Sequence, residues 1–494
     1  MRRNAYLREQ YRAIVSHTGF VLTLCGAWML TPLVTRLVWP GTYSQPSAFV
    51  LPAACLAGLG LIAWKLPRPS GDLVVTVQEG GVIVLLSWTV VCLGSAWPFM
   101  AACGLTFTQA VFESVSGWTT TGLSVLDVTA APRDILLWRS TMQLAGGAGL
   151  AIIMLSAITG PTGPALSTAE GRDLLVPHVR QSAKLVLKIY AAYAIAGTIG
   201  LRLAGMDWFD AVNHAFAAVS TGGFSTRLPS IGYWDNPAIE AVTILLMLFG
   251  NLSFVTAWML LSGRLGAVLR NGEVRLMAFL IPLSAALLVL LTCRGVCPTL
   301  GKSIRVAIFE AVSALTTTGF STVGYTDWNS FGWLVLIVLM LIGGGTCSTA
   351  GGIKQYRVYL LYKSLIGELR RWLLPRTAVV EQAVWEADRT VFLSDARLRQ
   401  IGAFVFLYMA TFVIGSAVLA AHGCGLKESL FEYASSLGTV GLSIGVTSPG
   451  APPAVLWAEI AGMFFGRLEF LVVFASAAKL ARDAMTLAPR RACP

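Results

Sequence analysis

The chain has 494 residues, of which 55% are hydrophobic and only 12% are charged, and its mean hydropathy is +0.70. A soluble chain of this length would divide into several domains, but this composition excludes that class and is typical of a protein embedded in a membrane along its whole length. The formal net charge of +11 does not indicate nucleic-acid binding, because the basic residues are concentrated in particular connections between apolar segments. We therefore expect one membrane domain and no independent soluble enzyme.

Ten apolar segments along the chain are long enough to cross about 30 Å of hydrocarbon. The last eight form four pairs, and the segment between the members of each pair is too short to cross the bilayer. This pattern predicts an all-α polytopic fold of about ten transmembrane helices, with the last eight forming four repeats of span, pore loop and span around a pseudo-four-fold pore. The ten segments lie near residues 14–38, 48–66, 74–99, 135–159, 184–204, 237–262, 275–293, 331–361, 398–421 and 454–480.

The basic residues predict the orientation of these spans. They cluster at both ends of the chain and in alternate connections, whereas the other connections carry mainly acidic residues, so both termini are expected in the cytoplasm. The long basic stretch before the first apolar run argues against a removed signal peptide. The basic clusters are Arg2 to Arg12, Arg172 to Lys188, Arg264 to Arg275, Lys354 to Arg376 and Lys479 to Arg491.

The chain divides accordingly into six parts. We expect the connection at 363–396 to be a partly helical, surface-lying cytoplasmic linker, and Gly160 to Lys188 to be a second one, which prolines interrupt. Both fit plain solvated connectors and partner-binding segments equally well. The parts are two N-terminal spans (1–70), a first pore repeat (71–160), a second pore repeat with a linker (161–265), a third pore repeat with an intramembrane loop (266–362), a cytoplasmic linker (363–396), and a fourth pore repeat with the C-terminal tail (397–494).

The four short segments form an internal repeat that aligns without gaps. They read FESVSGWTTTGLS, NHAFAAVSTGGFS, FEAVSALTTTGFS and FEYASSLGTVGLS. In each, an acidic residue or a histidine stands nine positions before a glycine. These pairs are Glu113 and Gly122, His214 and Gly223, Glu310 and Gly319, and Glu432 and Gly441.

Non-helical backbone at membrane depth is tolerated only where it is buried by protein or lines a watery cavity. Glycine adopts positive φ at little cost, so successive carbonyls can turn toward one axis and replace the water around a cation. Since the loops carry no carboxylate, they favour a neutral site for a monovalent cation over a ring of acidic side chains. The candidate ligands are Thr120, Thr121, Gly122, Ser220, Thr221, Gly222, Gly223, Thr317, Thr318, Gly319, Thr439, Val440 and Gly441.

Other interpretations of these residues stay open at this stage. The three glutamates either complement the positive ends of short helices from outside the pore or simply cap them, and the small residues of the loops are also compatible with close helix packing. Packing motifs, however, do not explain the shared Phe-Glu opening and the register together. Cys293 and Cys297 lie near an outer helix end, where they either form a bridge or are inert apolar residues.

Two further features stand out in the apolar spans. The run GGGTCSTAGGIK from Gly343 interrupts a helix and lacks both the GK[ST] ending and the preceding strand of a phosphate-binding loop. Arg467 lies within the last span, where an unpaired charge costs at least about 2.5–3.5 kcal/mol. It should face the pore or form a structural bridge, either to Glu469 or to loop carbonyls. Lys354 is interpreted as a snorkelling residue at the interface.

The four loops, their pairing and the order of spans resemble the potassium-translocating membrane subunits of the Trk/Ktr/HKT superfamily. Two longer stretches, HAFAAVSTGGFSTRLPSIGYWDNP and GMFFGRLEF, resemble its bacterial TrkH/TrkG branch. The resemblance covers nearly the whole chain. It places the filter glycines at Gly122, Gly223, Gly319 and Gly441, and because serine at the first of these positions is associated with sodium preference in the family, Gly122 supports potassium.

The resemblance also implies a gate below the filter and an assembly. The implied gate residues are Gly343, Gly344, Gly345, Thr346, Cys347, Ser348, Thr349, Ala350, Gly351, Gly352 and Arg467. The implied assembly is a homodimer in the bacterial inner membrane with a cytoplasmic, TrkA-like ring of nucleotide-binding regulatory subunits. K+ is then the transported ion, and no organic cofactor is expected in this chain.

Potassium uptake is therefore the leading hypothesis, with a less selective Na+/K+ pathway as its alternative. A secondary transporter is disfavoured, because inverted repeats would be expected there and these repeats all enter from the same side. Symport with protons or sodium stays open. An enzyme is disfavoured as well, since the four histidines form no catalytic cluster with Asp, Glu or Cys.

Overall fold

The structure is a computed structural model, and it describes residues 2–66, 76–149, 179–375, 383–386 and 389–487. Over these residues the regular secondary structure is helical apart from one short hairpin. This confirms the predicted all-α polytopic fold of about ten transmembrane helices, with four repeats of span, pore loop and span around a pseudo-four-fold pore. The second half of the 135–159 segment, most of the Gly160 to Lys188 connection and the C-terminal tail from residue 488 lie outside the described residues.

The helices and strands follow one another in the order of the predicted spans. The helices are α1 (Arg2–Trp28), α2 (Thr35–Val38), α3 (Ser47–Lys65), α4 (Val77–Ser95), α5 (Trp97–Cys103), α6 (Phe107–Trp118), α7 (Arg133–Ala148), α8 (Val179–Leu203), α9 (Trp208–Val219), α10 (Pro237–Asn251), α11 (Phe254–Leu261), α12 (Leu265–Arg270), α13 (Gly272–Leu291), α14 (Leu300–Leu315), α15 (Ser330–Ile342), α16 (Gln355–Leu373), α17 (Asp395–Ala421), α18 (Leu426–Leu437), α19 (Pro453–Leu468) and α20 (Phe470–Leu487). The two strands are β1 (Ala383–Glu386) and β2 (Arg389–Phe392), and short 3-10 turns lie at Thr31–Val34, Ser230–Tyr233 and Cys293–Gly295.

The two N-terminal spans, α1 and α3, cross at a pair of glycines. A Cβ on Gly19 would lie 2.6 Å from the carbonyl oxygen of Gly60, and one on Gly60 would lie 2.7 Å from that of Gly19. Only glycine permits this backbone approach, which is the usual way that helices associate tightly in a membrane. A hydrogen bond links the two N-terminal spans to the first repeat: Asp134, at the start of α7, accepts from Ser44 Oγ at 2.7 Å.

Each repeat contains a long first span, a short pore helix and a second span. The first spans are α4 with α5, α8, α13 and α17, the pore helices are α6, α9, α14 and α18, and the second spans begin with α7, α10, α15 and α19. The pore helices have similar hydrophobic faces and are buried over most of their length. They therefore lie inside the protein rather than against lipid, which is what allows non-helical loops to follow them at membrane depth.

The second spans are broken more often than the sequence predicted. Six described helices, or runs of helices, are long and apolar enough to cross a membrane unbroken, and two further spans are bent pairs: α10 with α11 at 117° and α19 with α20 at 101°. The sequence analysis placed an interruption only in the third repeat, after α15, and treated 237–262 and 454–480 as continuous. Apolar composition runs unchanged across both bends, so hydropathy does not reveal them.

The connection after the intramembrane loop contains a feature that the sequence analysis missed. Helix α16 runs away from the loop as expected, but β1 and β2 then form an antiparallel hairpin in which Val384 pairs with Val391. Val384 packs with Leu360 of α16 and Ile401 of α17, so this part of the predicted linker is attached to the membrane helices. The division of the chain into six parts otherwise stays a prediction.

Candidate functional site

The four pore loops share one unusual backbone conformation. In each, the loop glycine has positive φ, and so does the threonine two positions before it. The glycines are Gly122 (φ 91°), Gly223 (73°), Gly319 (82°) and Gly441 (102°), and the threonines are Thr120 (57°), Thr221 (50°), Thr317 (53°) and Thr439 (50°). A β-branched residue in this region costs about 1–3 kcal/mol, so four such threonines in one register mark a site where surrounding contacts impose the geometry. The sequence predicted the conformation for the glycines only.

The four loop glycines form a closed ring, because each lies against a backbone carbonyl of the next repeat. A Cβ on Gly122 would lie 2.2 Å from Gly222 O, one on Gly223 would lie 2.1 Å from Thr318 O, one on Gly319 would lie 1.9 Å from Val440 O, and one on Gly441 would lie 2.2 Å from Thr121 O. No side chain fits at any of the four positions. We call these four glycines and the four residues that contact them the glycine ring; it brings the predicted candidate residues of all four loops together around one axis.

The glutamates of the repeat have a different position from the one that the sequence predicted. Glu113 lies well inside α6, which begins at Phe107, and it is fully buried. Its Oε1 accepts hydrogen bonds from Val125 N and Ser124 Oγ, both at 2.6 Å. The interpretation as a charge at the outer helix end is therefore wrong: the pore helices begin earlier than expected, and the carboxylate binds the chain that follows the loop.

The other repeats use the same arrangement. Glu310 accepts from Thr322 N and Thr322 Oγ1, both at 2.8 Å, and also from the hydroxyl of Tyr325. Glu432 accepts from Ser443 Oγ at 2.6 Å and from Thr447 N at 3.0 Å. Each carboxylate thereby supplies acceptors for backbone and hydroxyl donors that would otherwise be buried without partners.

Histidine takes this position in the second repeat. His214 is fully buried; its Nδ1 lies 2.8 Å from Asp210 O and its Nε2 lies 2.9 Å from Ser225 Oγ. The carboxylate that this repeat lacks at position 214 is supplied one turn earlier, where Asp210 accepts from Thr226 Oγ1 at 2.6 Å. The imidazole thus contacts the segment after the loop at the point where a glutamate does so elsewhere.

Arg139 is a buried residue of the site that the sequence analysis did not single out. It lies on α7 with 2% of its surface exposed, and its Nε is 3.3 Å from Glu113 Oε2. It also donates to Ser225 O at 3.1 Å, and its guanidinium lies 3.8 Å from the centre of the Phe224 ring. Arg139 therefore links the first repeat to the second loop. A charged residue inside the apolar segment 135–159 was the signal available in the sequence.

A cavity of about 610 Å³ opens on one side of the glycine ring. All four loops line it, through residues such as Leu123, Ser225, Ser321 and Ser443 that follow the ring glycines. The ring thus has an accessible mouth on this side.

The intramembrane loop, Gly343 to Gly352, lies against the other side of the ring. Gly351 N donates to Thr317 Oγ1 at 2.7 Å, and Thr349 Oγ1 lies 3.1 Å from Thr221 Oγ1. A Cβ on Gly351 would lie 2.1 Å from Thr439 Oγ1. The loop therefore contacts three of the four threonines at this end of the ring.

The shape of this loop depends on its glycines and on anchors from the second and third repeats. Gly343 (φ 70°) and Gly352 (φ 79°) lie in the left-handed region, and Gly344 N donates to Gly351 O at 3.1 Å, which closes the loop. Asn251, at the bend after α10, accepts from Gly345 N at 3.1 Å. Glu273, at the start of α13, accepts from Thr346 N at 2.7 Å. Within the loop, Ser348 Oγ donates to Gly345 O. Cys347 O accepts a hydrogen bond from Phe254 N of α11.

Arg467 ties the loop to the first repeat. It lies at the end of α19 and donates to Thr349 O at 2.8 Å, to Gly146 O at 2.6 Å and to Gly147 O at 3.1 Å. This agrees with the bridge to loop carbonyls that the sequence analysis left open. Glu469, the other partner considered there, forms an ion pair with Arg357 at 2.7 Å.

The structure corrects the interpretation of Lys354 and decides between the two alternatives for the cysteine pair. Lys354 has a φ of 83°, and its Nζ turns back to donate to Ala350 O, so the snorkelling interpretation is wrong. With Thr346, Cys347, Ser348, Ala350 and Arg467 it lines a small cavity of about 30 Å³ beneath the loop. Cys293 and Cys297 are both free thiols, so the bridge considered for them is not formed.

Comparison with known proteins places this architecture in a family. The family model described as TrkH, cation transport protein, matches residues 64–487. This chain belongs to the TrkH family. The Trk system potassium uptake protein TrkH of Escherichia coli K12 is 31% identical over 485 residues, which cover 94% of this chain and 98% of that protein. TrkG of the same organism is 30% identical, with 88% of this chain and 91% of that protein covered.

A solved structure has the same fold as this TrkH-family chain. The crystal structure of the potassium transporter TrkH from Vibrio parahaemolyticus superposes with a TM-score of 0.82 at 30% sequence identity, and the match covers 95% of this chain and 98% of that chain. The resemblance to the TrkH/TrkG branch that the loops and the two longer stretches predicted is thereby confirmed.

The Arg139–Glu113 pair gives a stability prediction. Replacing Arg139 by Met leaves the Glu113 carboxylate buried without its ion-pair partner, which is expected to cost about 3–5 kcal/mol and to lower the thermal unfolding temperature of the detergent-solubilised protein. The matched control is Arg371→Met, because the Arg371–Glu368 pair is 60% and 53% exposed and such pairs are worth about 0–1 kcal/mol. Equal unfolding temperatures for the two variants would contradict the assignment.

Proposed function

We propose that this protein carries K+ across the bacterial cytoplasmic membrane, with the glycine ring as its selectivity filter. The observation that carries the proposal is the closed contact between each ring glycine and a carbonyl of the next repeat. A ring of backbone carbonyls at one level is the arrangement that replaces the hydration shell of a monovalent cation. Four repeats of one chain supply it.

The chemistry of the ring supports potassium. None of the ring residues carries a charge, so the ligands are neutral carbonyl and hydroxyl oxygens and no acidic ring is available to favour a divalent ion. Relatives that match nearly the whole chain are named as potassium uptake proteins. A less selective Na+/K+ pathway is the second candidate, which is favoured by the unequal residues Thr121, Gly222, Thr318 and Val440 in one layer of the ring.

The intramembrane loop and Arg467 form the gate in this proposal. The loop contacts the threonines at one end of the ring, where it obstructs the path of an ion, and the positive charge of Arg467 beside it raises the barrier to cations. Because the same arginine donates to Thr349 O and to carbonyls of α7, opening requires these hydrogen bonds to break. The hydrogen bonds by which Arg467 holds the loop in place are therefore also the ones that keep the gate closed.

The proposed assembly follows from charge and from the relatives. The basic connections favour cytoplasmic termini, and with that orientation the intramembrane loop lies on the cytoplasmic side of the filter. The relatives are named as components of a Trk system, and we extend to this chain a homodimer with a cytoplasmic nucleotide-binding ring subunit. K+ is the cargo, and the chain itself contributes transport and no catalysis.

Ion flux tests the proposal directly. In proteoliposomes containing the purified protein, an imposed K+ gradient should drive uptake of radioactive rubidium, and expression should restore growth at low potassium in a host that lacks potassium uptake. Repeating the flux with and without a proton or sodium gradient separates passive from coupled transport. Protein that is folded and inserted but passes no more rubidium than protein-free liposomes would refute the function.

Gly122→Ser tests the filter. A Cβ at this position would lie 2.2 Å from Gly222 O at a φ of 91°, so the carbonyl must move and the preference for K+ over Na+ should fall. The permeability ratio is measured from reversal potentials in planar bilayers. Gly324→Ser is the matched control, because Gly324 also lines the mouth cavity but has open space around its Cβ position. An unchanged ratio for Gly122→Ser would remove Gly122 from the filter.

Arg467→Gln tests the gate. Each hydrogen bond to a charged donor is worth about 1.5–3 kcal/mol, so losing them should shift the balance toward the open state and raise flux about tenfold or more. Shortening the loop between Gly343 and Gly352 should act in the same direction. Arg371→Gln, at an exposed position, serves as the control. The gate assignment fails if folded Arg467→Gln protein transports at the wild-type rate.

A further inference from the structure

Three of the four pore loops are bound to their own pore helix by a serine. Ser116 Oγ accepts from Gly122 N at 3.1 Å and donates to Leu123 O at 2.6 Å. Ser435 Oγ accepts from Gly441 N at 3.0 Å, and Ser313 Oγ donates to Phe320 O at 2.6 Å. The serine stands six positions before the ring glycine in each case.

The second loop lacks this serine, because Ala217 takes its place. The alanine side chain can neither donate nor accept, so Gly223 N and Phe224 O, which are equivalent to the groups that the serines bond, have no such partner on their own pore helix. Groups buried at this depth are costly when they have none.

Gln143, from another repeat, braces the second loop instead, through a different pair of backbone groups. It lies on α7, the second span of the first repeat, and is fully buried. Its Nε2 donates to Gly222 O, and its Oε1 accepts from Phe224 N at 3.2 Å. One side-chain amide therefore binds the backbone on both sides of Gly223.

The space around Gln143 explains why the second loop has a glycine where the others have larger residues. A Cβ on Gly222 would lie 2.4 Å from Gln143 Cδ. The equivalent residues of the other loops are Thr121, Thr318 and Val440, none of which would fit beside this amide. Gly222 and Gln143 are thus complementary: the absence of a side chain on Gly222 leaves room for the amide, which bonds Gly222 O and Phe224 N.

The position of the Gly222 carbonyl connects this contact to ion selection. This oxygen lies in the glycine ring against Gly122. Among the described residues, side-chain donors reach Gly222 O but not the equivalent carbonyls of Thr121, Thr318 and Val440. One oxygen of the layer is therefore held in place from outside the pore and shares its lone pairs with an amide.

We infer that Gln143 is the positioning residue of the second filter loop and that it helps to set the preference for K+ over Na+. This inference rests on the proposed function, because it assumes that the glycine ring selects ions. Without the amide, the Gly222 carbonyl and the Phe224 amide lose their partner, the second loop gains freedom, and the ring accommodates a smaller ion more easily.

The test uses Gln143→Met in the full-length protein. Methionine keeps the length and approximate volume of the side chain but can replace neither hydrogen bond, and the K+/Na+ permeability ratio should fall about fivefold, the factor that one neutral hydrogen bond is worth. Thr141→Val is the matched control on the same helix, because the Thr141 hydroxyl bonds only Trp138 O of its own helix; its ratio should equal that of the wild type.

A double variant separates this role from general bracing of the loop. Gln143→Met combined with Ala217→Ser adds a serine at the position that braces the other three loops. Such a serine would bond Gly223 N or Phe224 O and not Gly222 O, so the ratio should stay low if the position of the Gly222 carbonyl sets it, and a recovered ratio would overturn that role. Gln143→Asn, whose amide is one methylene shorter, is the second single variant and should resemble Gln143→Met. It keeps the test decisive if the methionine variant does not fold.

Hydrogen–deuterium exchange of the segment 220–226 provides a readout that does not depend on transport. Gln143→Met should raise exchange there and leave the first loop, 119–125, unchanged. Wild-type exchange and a wild-type permeability ratio in folded Gln143 variants would overturn the inference. A different outcome separates the two proposals. If Gln143→Met raises exchange in the second loop but the wild-type protein conducts no monovalent cation, the proposed function is refuted, and only the role of Gln143 in positioning the loop is supported.

Discussion

The contact between each ring glycine and a carbonyl of the next repeat is the constraint on which the rest of the structure depends. At distances near 2 Å from a would-be Cβ, the ring leaves no room for any side chain, and the threonine two positions before each ring glycine adopts a left-handed conformation. Such a backbone persists only when its surroundings over-determine it. The buried pore helices, the carboxylates that bind the chain after each loop and the serines that bind the loop itself provide these surroundings.

The four repeats preserve this geometry with different residues. Three use a glutamate to bind the segment after the loop, whereas the second uses His214 together with Asp210. Three use a serine of the pore helix, whereas the second loop receives Gln143 from the first repeat. The second loop therefore depends on its neighbour more than the other loops do, and Arg139 strengthens the same connection from the same helix. Pseudosymmetry of the backbone does not imply equal chemistry in the four loops.

The two sides of the ring differ because, in the part of the chain that the structure describes, only the third repeat inserts a loop beneath it. On one side the ring opens into a cavity of about 610 Å³, and on the other the intramembrane loop takes up hydrogen-bonding capacity of Thr221 and Thr317. The loop is held from three directions: by Asn251, by Glu273 and by Arg467. These anchors belong to the second, third and fourth repeats, and Arg467 adds the first through α7. The loop therefore has contacts with residues of all four repeats.

The sequence by itself determined the spans, the four loops, their register and the glycines that need positive φ, because hydropathy, segment length and the steric freedom of glycine are local properties of the chain. Only the tertiary structure decided where Glu113 and Gln143 point, since those contacts depend on how helices are rotated and packed; Gln143 and Gly222 are separated by 79 positions. The bends after Asn251 and Leu468 were invisible for a related reason. A uniformly apolar segment is compatible with the membrane whether the span is straight or broken. The position of a break depends on neighbouring residues that form hydrogen bonds with the backbone groups that the break leaves without helical partners.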